Sequence, residues 1–307
     1  MTGIRNVYVN KLIERKQNGL IKIITGARRA GKSYLMNELY YKYLLQQGIP
    51  IANIIKFAFD SDEDIDLLDE YAVDEAAVKR QKNGTNLVNA KKFRAFIKER
   101  TNDTEEFYLL LDEVQLLENF VGTLNGFLRH KNFDVYVTGS NSRFLSSDIV
   151  TEFKGRGTQV HVLPLAFSEY VQGLGLAAQD AWKEYIETGG IPIVAKMRSK
   201  EEKIAYLKDL CEETYLKDII EHNHVRKQEE LADTFDVVAS MIGTPVNSLK
   251  IANTFQSVTH KKITDDTVSN FIAYFEDIGV RNARLNFRQI EEPHIMENII
   301  YNELRYR

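Results

Sequence analysis

The chain has 307 residues, 44% of them hydrophobic and 27% charged, with a formal net charge of −4. That length and balance allow about two compact units with substantial cores and exclude a disordered tail, a membrane-spanning chain and a globally basic nucleic-acid binder. The opening MTGIRNVYVNKL lacks a secretion-signal core and the lone cysteine, Cys211, excludes an internal disulfide, so the expected compartment is the reducing cytoplasm and no membrane is expected as a partner.

Leu20 to Thr25 is a β-branched, apolar run that reads as a core strand, and Ser33 to Gln46 reads as a helix stopped by Gly48 and Pro50. Between them GARRAGKS, Gly26 to Ser33, satisfies the pattern G-x-x-x-x-G-K-[ST] at every constrained position. A loop at a strand-to-helix junction presents unpaired backbone N–H groups and the positive end of a helix dipole to an anion, which makes it a seat for a β-phosphate. The cradle comprises Gly26, Ala27, Arg28, Arg29, Ala30, Gly31, Lys32, Ser33 and Tyr34. In it the glycines allow close wrapping, Lys32 reaches the β- and γ-phosphates, and the Ser33 hydroxyl contributes to holding Mg²⁺. Arg28 and Arg29 are either phosphate or subunit contacts, or solvated loop charges, which is the simpler reading.

Asn53 to Phe59 reads as a second strand, followed by an acidic stretch, Asp60 to Asp66, whose spacing fits no calcium loop and which reads as solvated. A helix is expected from about Asn89 to Arg100, then a third strand, Phe107 to Leu111, ending in Asp112-Glu113. An apolar strand tipped with two acids downstream of a phosphate loop supplies the other half of a nucleoside-triphosphatase: Asp112 for Mg²⁺ and Glu113 to polarise the attacking water. The fourth strand, Asp134 to Thr138, leads into Ser140 and Asn141, which are either γ-phosphate contacts or turn and cap residues. A fifth strand is expected over Gln159 to Leu165; before it Arg156 stands between two glycines, either in a surface turn or presented to phosphate. The alternation predicts an α/β fold: a P-loop nucleotide-binding domain with a mainly parallel five-stranded sheet, ligands at the strand carboxyl ends.

From about Ala177 only helices are expected: Ala178 to Thr188, stopped by Gly189-Gly190-Ile191-Pro192, and Lys200 to Glu221. Trp182 reads as core, and Cys211 as a small buried apolar side chain. His222-Asn223-His224 reads as surface histidines at a helix end. Helices over Leu231 to Met241, Ser248 to Val258 and Thr264 to about Asp277 suggest a helix-turn-helix. Its third helix carries no Lys or Arg, leaving Lys261 and Lys262 as the obvious basic pair, so DNA is a weakly supported partner.

With GARRAGKS, LLLDEVQ (109–115), TGSNS (138–142), GRG (155–157), LPLAFSEY (163–170), GGIP (189–192) and TYLKDII (214–220), the chain resembles prokaryotic AAA-type ATPases. Those proteins carry an ATPase core, a winged-helix unit and a nuclease-like C-terminal domain of unknown function. The resemblance implies ATP and ADP as ligands with Mg²⁺, Asn141 as the γ-phosphate sensor, Arg156 as an arginine finger, and hence a homo-oligomer working as a molecular switch. It also implies an ATPase domain over 1–176, a helical lid over 177–228, a helix-turn-helix over 229–280 without its wing, and a stub of the terminal domain over 281–307. The alternatives are a nucleotide-dependent DNA-binding regulator and a scaffold that binds nucleotide without hydrolysing it.

Overall fold

β1 (Ile21–Thr25) is buried at all five positions, as befits a strand paired on both of its edges within a parallel sheet. A computed structural model describes residues 4–71, 75–80, 86–139, 153, 155–212, 277–287 and 292–306, with single positions between 236 and 268. Around β1 a five-stranded parallel sheet is ordered β2-β5-β6-β1-β7, with β2 Ile54–Ala58, β5 Phe107–Asp112, β6 Phe133–Thr138 and β7 Gly157–His161. The expected α/β fold is therefore the observed one.

Contacts divide the chain into two compact units. The sheet unit comprises Tyr8–Thr25 and Lys32–His161; the helical unit comprises Met1–Val7, Gly26–Gly31 and Val162–Arg307. The sheet unit thus ends at His161, whereas the sequence reading set its first boundary at 176.

In the sheet unit, α1 (Asn6–Ile13), which runs into it from the N terminus, buries Tyr8 and Leu12. The helix expected after the loop is built as α2 (Lys32–Tyr34), a π-helical segment (Leu35–Tyr40) and α3 (Tyr41–Gln46). Two of its polar anchors to the sheet, Asn37 and Tyr40, fall within the π segment, a kind of irregularity that clusters at functional sites. Beyond β2, α4 (Asp62–Asp66) is capped by Ser61, so part of the acidic stretch is a helix N-terminus where acids complement the dipole. A short antiparallel pair, β3 (Val78–Arg80) and β4 (Asn86–Val88), escaped the sequence reading because three residues carry no measurable periodicity. α5 (Ala90–Arg100), capped by Asn89, and α6 (Phe120–Phe127) lay Phe93, Phe96, Leu124 and Phe127 against Phe57, Phe59 and Leu109 of the sheet side. β7 starts and stops earlier than expected. It is an edge strand whose one partner, β1, ends where Thr25 pairs His161, so Val162 to Leu165 have no ladder to continue.

The described part of the helical unit holds α7 (Phe167–Leu174), α8 (Ala178–Thr188), α9 (Lys200–Asp209), α10 (Ile278–Arg284) and α11 (Glu292–Tyr306). Tyr170, Tyr185, Ile278, Ile295 and Ile299 form its core, with Trp182 packed against them as expected. Gly189, at φ +72°, ends α8; Gly190 lies so close to Leu165 that a Cβ there would sit 2.2 Å from its carbonyl oxygen. Asp277 is extended and caps α10, accepting the Val280 N–H. Most of 229–280, including Lys261 and Lys262, and all of His222-Asn223-His224 lie outside the described residues. Cys211 is buried and its thiol is pushed up to about 12 by burial, which suits an apolar packing role.

Candidate active site

Parallel strands deliver their carboxyl ends to one edge of the sheet, and in the sheet unit that edge gathers the acids read from the sequence. Asp112, the last residue of β5, is 7% exposed and bonded on every side. Its Oδ1 accepts from Ser33 Oγ at 3.1 Å and from the Thr138 hydroxyl, while its Oδ2 accepts from Asn37 Nδ2 at 3.1 Å. Burial pushes the Asp112 carboxyl above the usual range, the Thr138 and Ser33 hydroxyls pull it back, and the charges of Glu113 and Asp60 push it up again.

Glu113 follows in the left-handed region, at φ +52°, a strained setting for a non-glycine residue that persists where surroundings hold it. Its backbone N–H donates to Thr138 Oγ1 at 3.2 Å, and Gln115 Nε2 donates to its carboxylate. One hydroxyl at the tip of β6 therefore ties down both Asp112 and the backbone of Glu113. Thr138 was missed as a site residue because it reads as an ordinary β-branched strand end; its place opposite the Asp-Glu pair is set by the β5–β6 register. Asn37 was missed for a similar reason, since its reach depends on the π segment. Asp60, placed in a solvated loop by the sequence, has its carboxyl raised by burial first and by Glu113 second, so it belongs electrostatically to this cluster.

Lys32 is 5% exposed at the start of α2, and Tyr34 is 48% exposed. In the helical unit the loop Gly26–Gly31 turns tightly: Ala30 N–H donates to Ala27 O at 3.2 Å, and Ala27 and Ala30 are fully buried. Gly26, at φ +135°, lies where a Cβ would be 2.1 Å from the Val162 carbonyl oxygen, so only glycine fits. Arg29 is exposed in the left-handed region and Arg28 is half-buried.

Arg156 is exposed immediately before β7, its carbonyl accepting from Ile21 N at 2.9 Å. It stands at the amino edge of the sheet, about 13 Å along β1 from Thr25 and away from the edge where Asp112 and Thr138 emerge. Ser140 and Asn141 lie outside the described residues.

The donor set suits Mg²⁺: a serine hydroxyl and a carboxylate are the hard oxygen ligands that ion takes. Beside them Asn37 Oδ1 is buried without a hydrogen-bond partner. Among the described residues no helix is long and apolar enough to cross a membrane.

Residues 18–171 match the family described as "AAA domain" and residues 179–289 match a "Domain of unknown function (DUF8612)". An uncharacterized protein of Haemophilus influenzae is 29% identical over 279 residues, covering 89% of this chain and 64% of its own length. An uncharacterized protein of Methanocaldococcus jannaschii is 25% identical over 341 residues, covering 97% of this chain and 68% of its own. The chain thus spans about two thirds of the length of these relatives. Among solved structures, Cdc6p from Pyrobaculum aerophilum aligns with a TM-score of 0.38 at 11% identity over 98% of this chain and 95% of that one. The Aeropyrum pernix ORC1 protein, solved in complex with DNA, also aligns with a TM-score of 0.38 at 11% identity, over 89% of this chain and 82% of that one. A phosphate-loop sequence, a five-stranded parallel sheet and a family match over half its length agree: the chain belongs to the AAA-domain family.

Proposed function

We propose that the protein binds ATP with Mg²⁺ and hydrolyses it, as a switch in an oligomer of this chain. The observation that carries the reading is the convergence of Ser33, Asp112 and Thr138 at one sheet edge, with Glu113 braced beside them. In that mechanism the loop N–H groups and Lys32 hold the phosphates, and Ser33 and Asp112 would hold Mg²⁺, which would supply neutralisation of phosphate charge. Glu113 accepts a hydrogen bond from the attacking water, orienting it for in-line attack on the γ-phosphorus and taking up its proton. Thr138 keeps Asp112 and Glu113 in register. Asn141 is the proposed γ-phosphate sensor. Arg156 is proposed to act on a neighbouring subunit, in keeping with its exposed place away from its own Asp112.

Phosphate release and equilibrium ATP binding test this. Glu113→Gln is expected to bind ATP like the wild type while kcat falls by about 100-fold or more, and Lys32→Ala to lose binding itself. Equal phosphate release from wild type and both variants would remove the ATPase reading and leave the non-hydrolysing scaffold.

A further inference from the structure

One arginine far from GARRAGKS in sequence is built into the back of that loop. Arg5 is 3% exposed and Glu169, on α7, 2% exposed; both belong to the helical unit, as does the loop segment Gly26–Gly31. The Arg5 backbone N–H donates to Glu169 Oε1 at 2.9 Å, and its Nη1 donates to Glu169 Oε2 at 3.3 Å and to the Leu163 carbonyl at 2.7 Å. Its Nη2 donates to the Ala30 carbonyl at 2.7 Å. Glu169 is itself held by the Ala166 N–H at 3.1 Å, so the brace is fixed from behind.

Three features separate this from a routine buried ion pair. Burying two charges is costly and often yields no net stability, so their retention calls for a positional reason. Arg5 also takes a left-handed backbone, φ +69°, which a bulky residue adopts only where its surroundings impose it. Gly173 leaves room for the neighbouring Ile4, whose Cδ1 would lie 2.7 Å from a Cβ at that position, so the N-terminal segment is seated on α7.

The bond to Ala30 has a directional consequence. In a planar trans peptide the carbonyl and the following N–H point opposite ways. With the Ala30 carbonyl fixed on the guanidinium, the Gly31 N–H faces away from Arg5. We propose that Arg5 is a positioning residue for phosphate recognition: it clamps the Ala30–Gly31 peptide so that the loop offers its N–H groups to a polyphosphate without rearranging first. The proposal rests on the nucleotide-binding reading above. A planar fork serves Leu163, Glu169 and Ala30 together, which the single ammonium of a lysine does not.

The test measures inorganic triphosphate binding, by competition with a fluorescent ATP analogue, and steady-state ATP hydrolysis in wild type, Arg5→Lys, Arg5→Ala and Lys32→Ala. Arg5→Lys is expected to weaken triphosphate binding about tenfold or more, the equivalent of one charge-assisted hydrogen bond, and to raise KM while kcat at saturation is kept. A clamp that only supported folding would lower kcat through a smaller active fraction and leave KM alone; that result overturns the proposal, as does unchanged triphosphate affinity in Arg5→Lys. If Arg5→Ala fails to fold, Arg5→Lys still decides. Absence of nucleotide binding by the wild type would instead end the nucleotide reading, whereas binding lost in Lys32→Ala but intact in both Arg5 variants ends the Arg5 clamp alone.

Discussion

Asp112 and Asp277 show opposite uses of a buried carboxylate. Asp112 sits among hydroxyl and amide donors at the strand edge, and the Thr138 hydroxyl has two partners, donating to Asp112 and accepting from the Glu113 N–H. Thr138→Val keeps the shape and removes the hydroxyl, so kcat is expected to fall roughly 10- to 100-fold, on the scale of hydrogen bonds to charged groups, while Thr138→Ser retains most activity. Steady-state kinetics of the two variants check this. Asp277 is wholly buried, and burial raises its carboxyl to about 6 even though the N–H groups of Gly190, Val280, Gly279 and Ile191 favour the charged form. The folded state therefore holds its proton more tightly than the unfolded chain, whose value is about 3.9, and this group's stabilisation is full below about pH 4 and lost as pH rises through 6. Urea unfolding at pH 5 and pH 7 is expected to show the wild type losing about 1 kcal/mol relative to Asp277→Asn, a comparison in which the other titrating groups cancel. A wild type that gains on the variant as pH rises would contradict it.

At the scale of elements, the phosphate-loop helix is tied to the sheet by a polar network in an otherwise apolar layer. Lys22 on β1 pairs with Asp134 on β6, Tyr136 donates to the same carboxylate at 2.8 Å, and Tyr40 of the π segment meets Tyr136 hydroxyl to hydroxyl. Lys22 is fully buried, and burial lowers its ammonium's affinity for the proton against the pull of Asp134. Removing one charge strands the other, so Lys22→Met is expected to cost about 3–5 kcal/mol, while Lys22→Met with Asp134→Asn costs less than Lys22→Met alone. A double-mutant cycle by denaturant unfolding reads this directly; additive losses would mean that the pair does not couple.

For the whole molecule, the finger proposal predicts complementation. Arg156→Ala and Glu113→Gln homo-oligomers are each expected to be inactive, and mixing them to recover turnover, because a site can combine one subunit's Glu113 with its neighbour's Arg156. Two inactive homo-oligomers whose mixture stays inactive would count against action between subunits.

Much of this molecule is legible along the chain because its information is local. Four of the strands, β1, β2, β5 and β6, are mostly apolar runs, the loop is a contiguous eight-residue pattern, and Asp112-Glu113 closes a strand, each set by neighbours in sequence, whereas β7 (GTQVH) is not apolar and its bounds follow from pairing with β1. Gly189-Gly190 ends a helix where a stop signal is written, and Asn89 caps α5 at the expected place. What only the tertiary structure decided is which distant residues serve those motifs. Thr138 and Asn37 become part of the site through strand register and a widened helical turn, Asp60 through the β2–β5 pairing, and Arg5 through a fold that returns residue 5 to residue 30 by way of residue 169. None carries a local signal, because a hydrogen bond formed across the chain leaves no period or spacing in the sequence that makes it.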